Sequence, residues 1–270
     1  MKKEDLFEMA KNPNNIPGIY NYCDRWCERC SFTSRCLSYQ SSEEYAEDTE
    51  ANDISNEKFW NRINENLQLA FEMLQEDAEK QGIDITISEE EAEDNKRQLD
   101  QEQQEAEDHL CAKLTKQYID LAKNWLDSSS ELFKNKGEEL IKVDSMDLPN
   151  RSPESEAALI EDALEAVQWY MMQIHVKTMR GLLGREKDDA WFDSEGFPRD
   201  SDGSAKVALI GIDRSIGAWG LLLNELPDEE SRLLPILRLL ERCRKSVESE
   251  FPQARDFVRP GFDEPEKYGK

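Results

Sequence analysis

Cys23, Cys27, Cys30 and Cys36 are the residues best suited to chemistry, four thiols within fourteen positions in the spacing C-x3-C-x2-C-x5-C. Thiolate is a soft anionic ligand. Four on one short loop can close a tetrahedron around zinc or fill the corners of a [4Fe–4S] cube. The x3 and x5 gaps let the chain fold back on itself, as a tetrahedral site requires. Structural zinc usually draws on two separated CxxC pairs, and Cys27 with Cys30 is one such pair. The tight run also suits a cluster, as in ferredoxin-type segments. Zinc and [4Fe–4S] are both expected cofactors. Cys111 and Cys243 stand alone at helical positions and read as small core residues.

Tyr20, Tyr22, Trp26 and Phe32 interleave with Arg25, Arg29 and Arg35 around the cysteines. Aromatics and arginines on such a loop can read nucleic acid. A formal charge of −25 on the chain argues against that partner and against an anionic membrane. The aromatics are therefore expected to form the miniature core of a metal knuckle. The arginines can hydrogen-bond thiolate sulfur or dock on acidic surface. The C-x3-C-x2-C spacing of the first three cysteines resembles that of radical SAM enzymes. Those enzymes need a β/α barrel behind the cluster, and this sequence offers no alternating strands.

A second constellation combines carboxylates and histidine on apolar helices. Glu161, Glu165, Gln168, Met172 and His175 follow at steps of four, three, four and three, so they share one helix face. Asp213 and Arg214 interrupt another apolar run, in which Gly211, Gly217 and Gly220 allow close approach of a backbone or ligand. Glu105 and His109 are one helical turn apart. Di-iron bundles require Glu-x-x-His, but Ala106 and Met172 stand three residues before the two histidines. The favoured expectation is a buried ion-pair set, with Arg214 on Glu161 or Glu165 and His175 on a carboxylate. The alternative is a ligand pocket between the third and fourth helices, with His175, Glu165 and Asp213 as the weak catalytic candidates. No nucleophile motif, phosphate loop or dinucleotide fingerprint occurs.

These residues need scaffolding. Apolar residues are 38% of the chain and charged residues 34%, a balance that fits helices with one buried stripe and wide solvated faces. Residues 1–40 hold six Lys/Arg against five Asp/Glu, whereas residues 41–110 hold 23 acidic against five basic. The spacing predicts a four-cysteine module over 1–40, an acidic linker over 41–54, a helical bundle over 55–251 and an extended tail over 252–270. About five helices are expected. The first is capped by Ser55 and ends near Gly82. A long polar one opens on a Ser88/Glu91 capping box, carries the stripe Leu99, Ala106, Leu110, Leu114, Leu121 and Trp125, and ends near Val143. The third starts at Ser152-Pro153 and stops at Gly184, followed by a loop over 185–203. The fourth spans about 204–226, the fifth about 227–251. Ile83–Ile87 reads as a linker or small strand. The fold class is all-α, an antiparallel bundle behind a cysteine module.

The first eleven residues carry no signal-peptide pattern, and the longest uncharged apolar stretch, 215–224, is too short to span a bilayer. The expected setting is cytoplasmic, where thiols stay reduced and disulfides are disfavoured. The expected function is that of a metal-binding helical protein acting as a binding or regulatory module with a protein partner. The alternative is an iron–sulfur redox enzyme using the helical pocket.

Overall fold

A computed structural model describes residues 3–43, 48–146, 152–195, 199–264 and 267. The chain is all-α, with nine helices, four single 3₁₀ turns and no strand among the described residues. It divides into two compact units, residues 1–100 with 259–270, and residues 101–258.

The first unit begins with α1 (Lys3–Ala10) and α2 (Leu37–Glu43), which enclose the cysteine loop. Asn15 and Gln40 exchange side-chain hydrogen bonds at 3.2 and 3.0 Å, and Gln40 also donates to the Ser34 carbonyl. The Ile16 N–H reaches the Arg35 carbonyl at 3.0 Å. Ile16 and Ile19 are fully buried and give this small unit its core. Within the expected acidic linker, Lys58 and the Ala51 N–H hold the Asp48 carboxyl below the usual carboxylate range, and Ala51 is buried.

Next comes α3 (Glu57–Gln81), capped by Asn56 rather than Ser55. Ser55 is occupied: its N–H and hydroxyl both donate to Asp53, leaving the Asn56 side chain to accept from Lys58 N–H at 2.9 Å. Gly82 ends the helix in the left-handed region, as its position suggested. Ile83 and Ile87 are exposed on a connecting segment, and no strand forms there. The capping box is present. The Glu91 N–H donates to Ser88 Oγ, and the Ser88 N–H to the Glu91 carboxylate, opening α4 (Glu89–Asp108).

The expected long helix is instead three. His109 takes an extended backbone conformation, and its Nδ1 accepts the Cys111 N–H at 3.2 Å, starting α5 (Leu110–Asp127) afresh. Ser128 and Ser129 hydrogen-bond the last carbonyls of α5, and α6 (Ser130–Asp144) follows. The breaks re-phase the stripe. Cys111, Leu114, Tyr118, Ala122 and Trp125 are buried, while Leu99, Leu110 and Leu121 face solvent.

Pro153 opens α7, which runs unbroken through Gly184 to Glu195. Gly184 is a packing residue: an added Cβ would stand 3.8 Å from Ser201. Asp200-Ser-Asp-Gly203 is no turn but the first residues of α8 (Asp200–Glu225), because carboxylates favour a helix N-terminus. Residues 196–198 of the expected loop, Gly196 and Pro198 among them, lie outside the described residues. After a 3₁₀ turn at Pro227–Glu229 comes α9 (Glu230–Glu250), close to expectation.

In the second unit α8 packs along α7 and against α9, α5 lies against α7 and α9, and α6 against α7. By length and composition α8 could cross a membrane, but half of its apolar window is buried by its neighbours, as befits a core helix. At its centre Trp219 donates to the Tyr118 hydroxyl at 3.1 Å and meets Trp125 edge-on at 5.0 Å. Burial pushes the Tyr118 phenol up to about 12, so it stays protonated and serves as the acceptor. Cys111 and Cys243 are buried core thiols, as expected. Residues 252–256 turn rather than extend, because Phe251, Ala254 and Phe257 are apolar and buried.

Candidate functional site

Short 3₁₀ turns at Ile19–Asn21, Cys27–Arg29 and Thr33–Arg35 shape the cysteine loop. Arg25 sits between the first two cysteines in the left-handed region, at φ 59°. A non-glycine residue pays about 1 kcal/mol or more for that conformation. Local bonds hold it: Trp26 N–H to Asp24, Cys27 N–H to the Arg25 carbonyl at 3.0 Å, and Arg25 Nη1 to Ser38 Oγ at 3.0 Å. Arg29 lies over the Trp26 ring at 4.0 Å.

All four cysteines line one cavity of ≈ 20 Å³, walled by Ile19, Tyr20, Trp26, Phe32, Tyr39 and Phe262. Of the aromatics singled out in the sequence, Tyr20, Trp26 and Phe32 line this small apolar enclosure and Tyr22 does not. The thiols are free and half-buried. Burial, then the neighbouring thiols, push the Cys27 thiol up; burial does the same for Cys30, partly offset by the Phe32 N–H, which donates to Cys30 Sγ at 3.4 Å. The Cys23 thiol donates to the Tyr20 carbonyl. Among the described residues no three His, Cys, Asp or Glu side chains stand close enough to grip an ion directly. The thiols share a cavity without forming a finished coordination sphere, and an ion would have to draw them inward.

The donor set nevertheless fits a soft cation. Four cysteines line one small apolar space, one sulfur already accepts a backbone N–H, and burial penalises uncompensated thiolates.

The helical candidates separate. His175 lines an open cavity of ≈ 530 Å³ with Gln103, Glu107, Lys116, Arg180 and Asp200; α4, α5 and α7 supply most of its wall and α8 only Asp200, so it is not the expected pocket between the third and fourth helices. Its Nδ1 lies 2.9 Å from the Thr115 hydroxyl, not from a carboxylate as expected. That hydroxyl also stands 3.0 Å from the Cys111 and Ala112 carbonyls, which take its proton. Thr115 therefore accepts from Nδ1–H, and Nε2 is left as the unprotonated nitrogen. Burial, then Lys116, lower the imidazole's proton affinity. Glu165 lies elsewhere, in a cavity of ≈ 380 Å³ between α6 and α7. Asp213 is bound to Arg255 at 2.6 Å, with Arg244 at 3.6 Å. Arg214 donates to the Tyr170 hydroxyl. His109, paired in sequence with Glu105, is a helix cap whose Nε2 faces Glu250 at 3.3 Å.

Ile19, Tyr39 and Phe262 are cavity residues that the sequence did not reveal, and Phe262 is the most distant of them in sequence. Its signal was a lone phenylalanine between prolines near the chain end, which carries no periodicity.

No family model, curated protein or solved structure matches the chain.

Proposed function

We propose that this is a cytoplasmic metal-binding protein acting as a binding or regulatory module. In this reading Cys23, Cys27, Cys30 and Cys36 hold a single zinc-type ion, the second unit is an antiparallel helical bundle, and a protein partner docks on the acidic helical surface of the chain. The carrying observation is that the four cysteines wall one cavity. Its ≈ 20 Å³ suits one ion better than an iron–sulfur cube, since a single water needs about 10–15 Å³. A bound ion would supply charge neutralisation for thiolates that burial otherwise disfavours. The short connection at Pro227–Glu229 joins α8 to α9, which pack on each other, and supports antiparallel neighbours there.

The partner reading is supported by α3. Trp60, Leu67, Phe71 and Leu74 are all more than half exposed on this helix, and Glu65, Glu72, Glu76 and Asp77 flank them. An amphipathic helix with a bare apolar row is a common recognition element. The acidic flanks favour a partner with basic residues beside its apolar ones.

The test is anaerobic purification followed by metal analysis and a visible spectrum. One zinc in a colourless protein, lost in Cys27→Ser, is the expected result. A brown protein with about four irons would replace zinc with the [4Fe–4S] cluster. Metal content unchanged by Cys27→Ser would remove the site altogether. The iron–sulfur enzyme remains the second reading on one observation, the ≈ 530 Å³ cavity at His175, whose size is that of small-molecule sites.

A further inference from the structure

Part of the wall of the cysteine cavity comes from residues far away in sequence. Arg259 and Asp263 clamp a tight turn: the Arg259 N–H donates to Asp263 at 3.0 Å, and its guanidinium adds contacts at 3.1 and 2.9 Å. The turn carries Gly261 at φ 79° onto the core of the cysteine unit. A Cβ there would meet Ile16 Cδ1 and Ile19 Cδ1 at 3.0 Å, so any other residue would have to displace both side-chain ends and hold a left-handed backbone. Phe262 follows, with Arg259 over its ring at 4.8 Å. It meets Phe32 edge-to-face at 5.2 Å and forms part of the cavity wall beside all four cysteines. Phe32 is the residue whose N–H donates to Cys30 Sγ. A physical chain thus runs from the C-terminal turn through two rings to a cysteine sulfur.

We propose that residues 259–263 are an integral part of the cysteine site. Phe262 acts as its apolar cap and, through Phe32, as a positioning residue for Cys30. The site is then assembled from residues 16–39 and 259–263, and solvent reaches the half-buried thiols more readily when the 259–263 turn leaves. The inference rests on the metal-binding reading for its consequence, slow metal loss, but the cap itself is a property of the metal-free protein. A cap of this kind limits water, and loosening a hydrogen bond to a ligand atom, such as the Phe32 N–H to Cys30 Sγ, typically costs about 10–100-fold in metal affinity.

The experiment uses the full chain in two forms. In metal-free protein, the reaction of thiols with a disulfide reagent is timed; Cys111 and Cys243 are buried, so the four site cysteines dominate the fast signal. In protein loaded with Co²⁺ in place of zinc, the thiolate-to-cobalt absorption and its decay into excess chelator are followed. Phe262→Ala should speed both thiol reaction and cobalt loss about tenfold and shift the absorption as the Phe32–Cys30 bond loosens. Phe262→Leu, which keeps apolar bulk without the edge-to-face contact, should fall between Ala and wild type. Gly261→Val should act like Phe262→Ala although Phe262 is retained. Wild-type rates in Phe262→Ala and Gly261→Val overturn the proposal. Equal large effects of Leu and Ala, matching the thiol rate in urea, would show collapse of the unit and overturn the capping role. If wild-type protein binds no Co²⁺ through its thiols, the metal reading fails, while the thiol rates still decide the cap.

Discussion

His109 shows how one side chain can reset a helix and make stability depend on pH. As the cap of α5 it uses Nδ1 as an acceptor, which requires the neutral ring with its proton on Nε2, facing Glu250. The imidazole's proton affinity is lowered by burial and then by Arg185, which neutralises the same Glu250. A proton on Nδ1 would remove the acceptor and the cap, worth about 0.5–2 kcal/mol. The folded state therefore binds a proton less readily than the unfolded chain, whose imidazole titrates at 6.5. The stabilisation is present above 6.5 and lost as pH falls through the folded value. His175 shifts in the same direction, and the chain has only these two histidines. Urea midpoints should thus fall between about pH 7.5 and 5.5, before carboxylates titrate. His109→Asn keeps a capping acceptor and should flatten part of that slope. A slope unchanged in the variant would remove His109 from the effect. None of this was legible in the residue pattern, which paired His109 with Glu105 on one continuous helix. The cap depends on a backbone conformation that periodicity does not report.

At the scale of elements, what the sequence disclosed was composition and punctuation. The Ser88/Glu91 box, Pro153 at the start of α7 and Gly82 after α3 each end or begin a helix through bonds between near neighbours, so they could be read directly. Glycines on helix interiors could not. Gly211 is a contact point, since an added Cβ would stand 3.1 Å from Ile174 and 3.2 Å from Tyr170, whereas Gly217 and Gly220 face open space. Gly211→Val should therefore overpack the α7–α8 contact and cost about 1–3 kcal/mol. Gly217→Ala should instead gain helix propensity of up to about 1 kcal/mol, and chemical denaturation compares the two. That α3 carries a bare apolar row was not legible in the sequence. Burial of a face depends on what packs against it, which no local pattern specifies. Since Phe71 is 55% exposed, Phe71→Glu should change stability by less than about 0.5 kcal/mol. A larger loss would mean that the row is covered within the protein and is not a free recognition surface.

Across the whole molecule, stability and charge are distributed in opposite senses. The densest burial lies in α8, where residues from Ser201 to Leu222 pack into the second unit. The excess of acid lies in residues 41–110, and every residue from Thr86 to Gln101 is exposed. The first half of α4 therefore has no tertiary packing to hold it. It persists on its capping box and near-neighbour pairs such as Arg97 with Asp94, each worth about 0.2–0.5 kcal/mol. Against these act like charges one turn apart, Glu89 with Glu93 and Glu90 with Asp94. Backbone amides of α8 should exchange with deuterium only on global unfolding, whereas those of residues 92–100 should exchange by local opening, faster by several orders of magnitude. Raising salt from about 0.05 to 0.5 M shortens the Debye length and screens the repulsion. Exchange in residues 92–100 should slow as salt rises, while exchange in α8 should change far less. Segment-resolved mass spectrometry separates the two. If protection of residues 92–100 matches that of α8, or falls with salt, then the acidic half of α4 is held by packing or attraction and not by the local bonds described above.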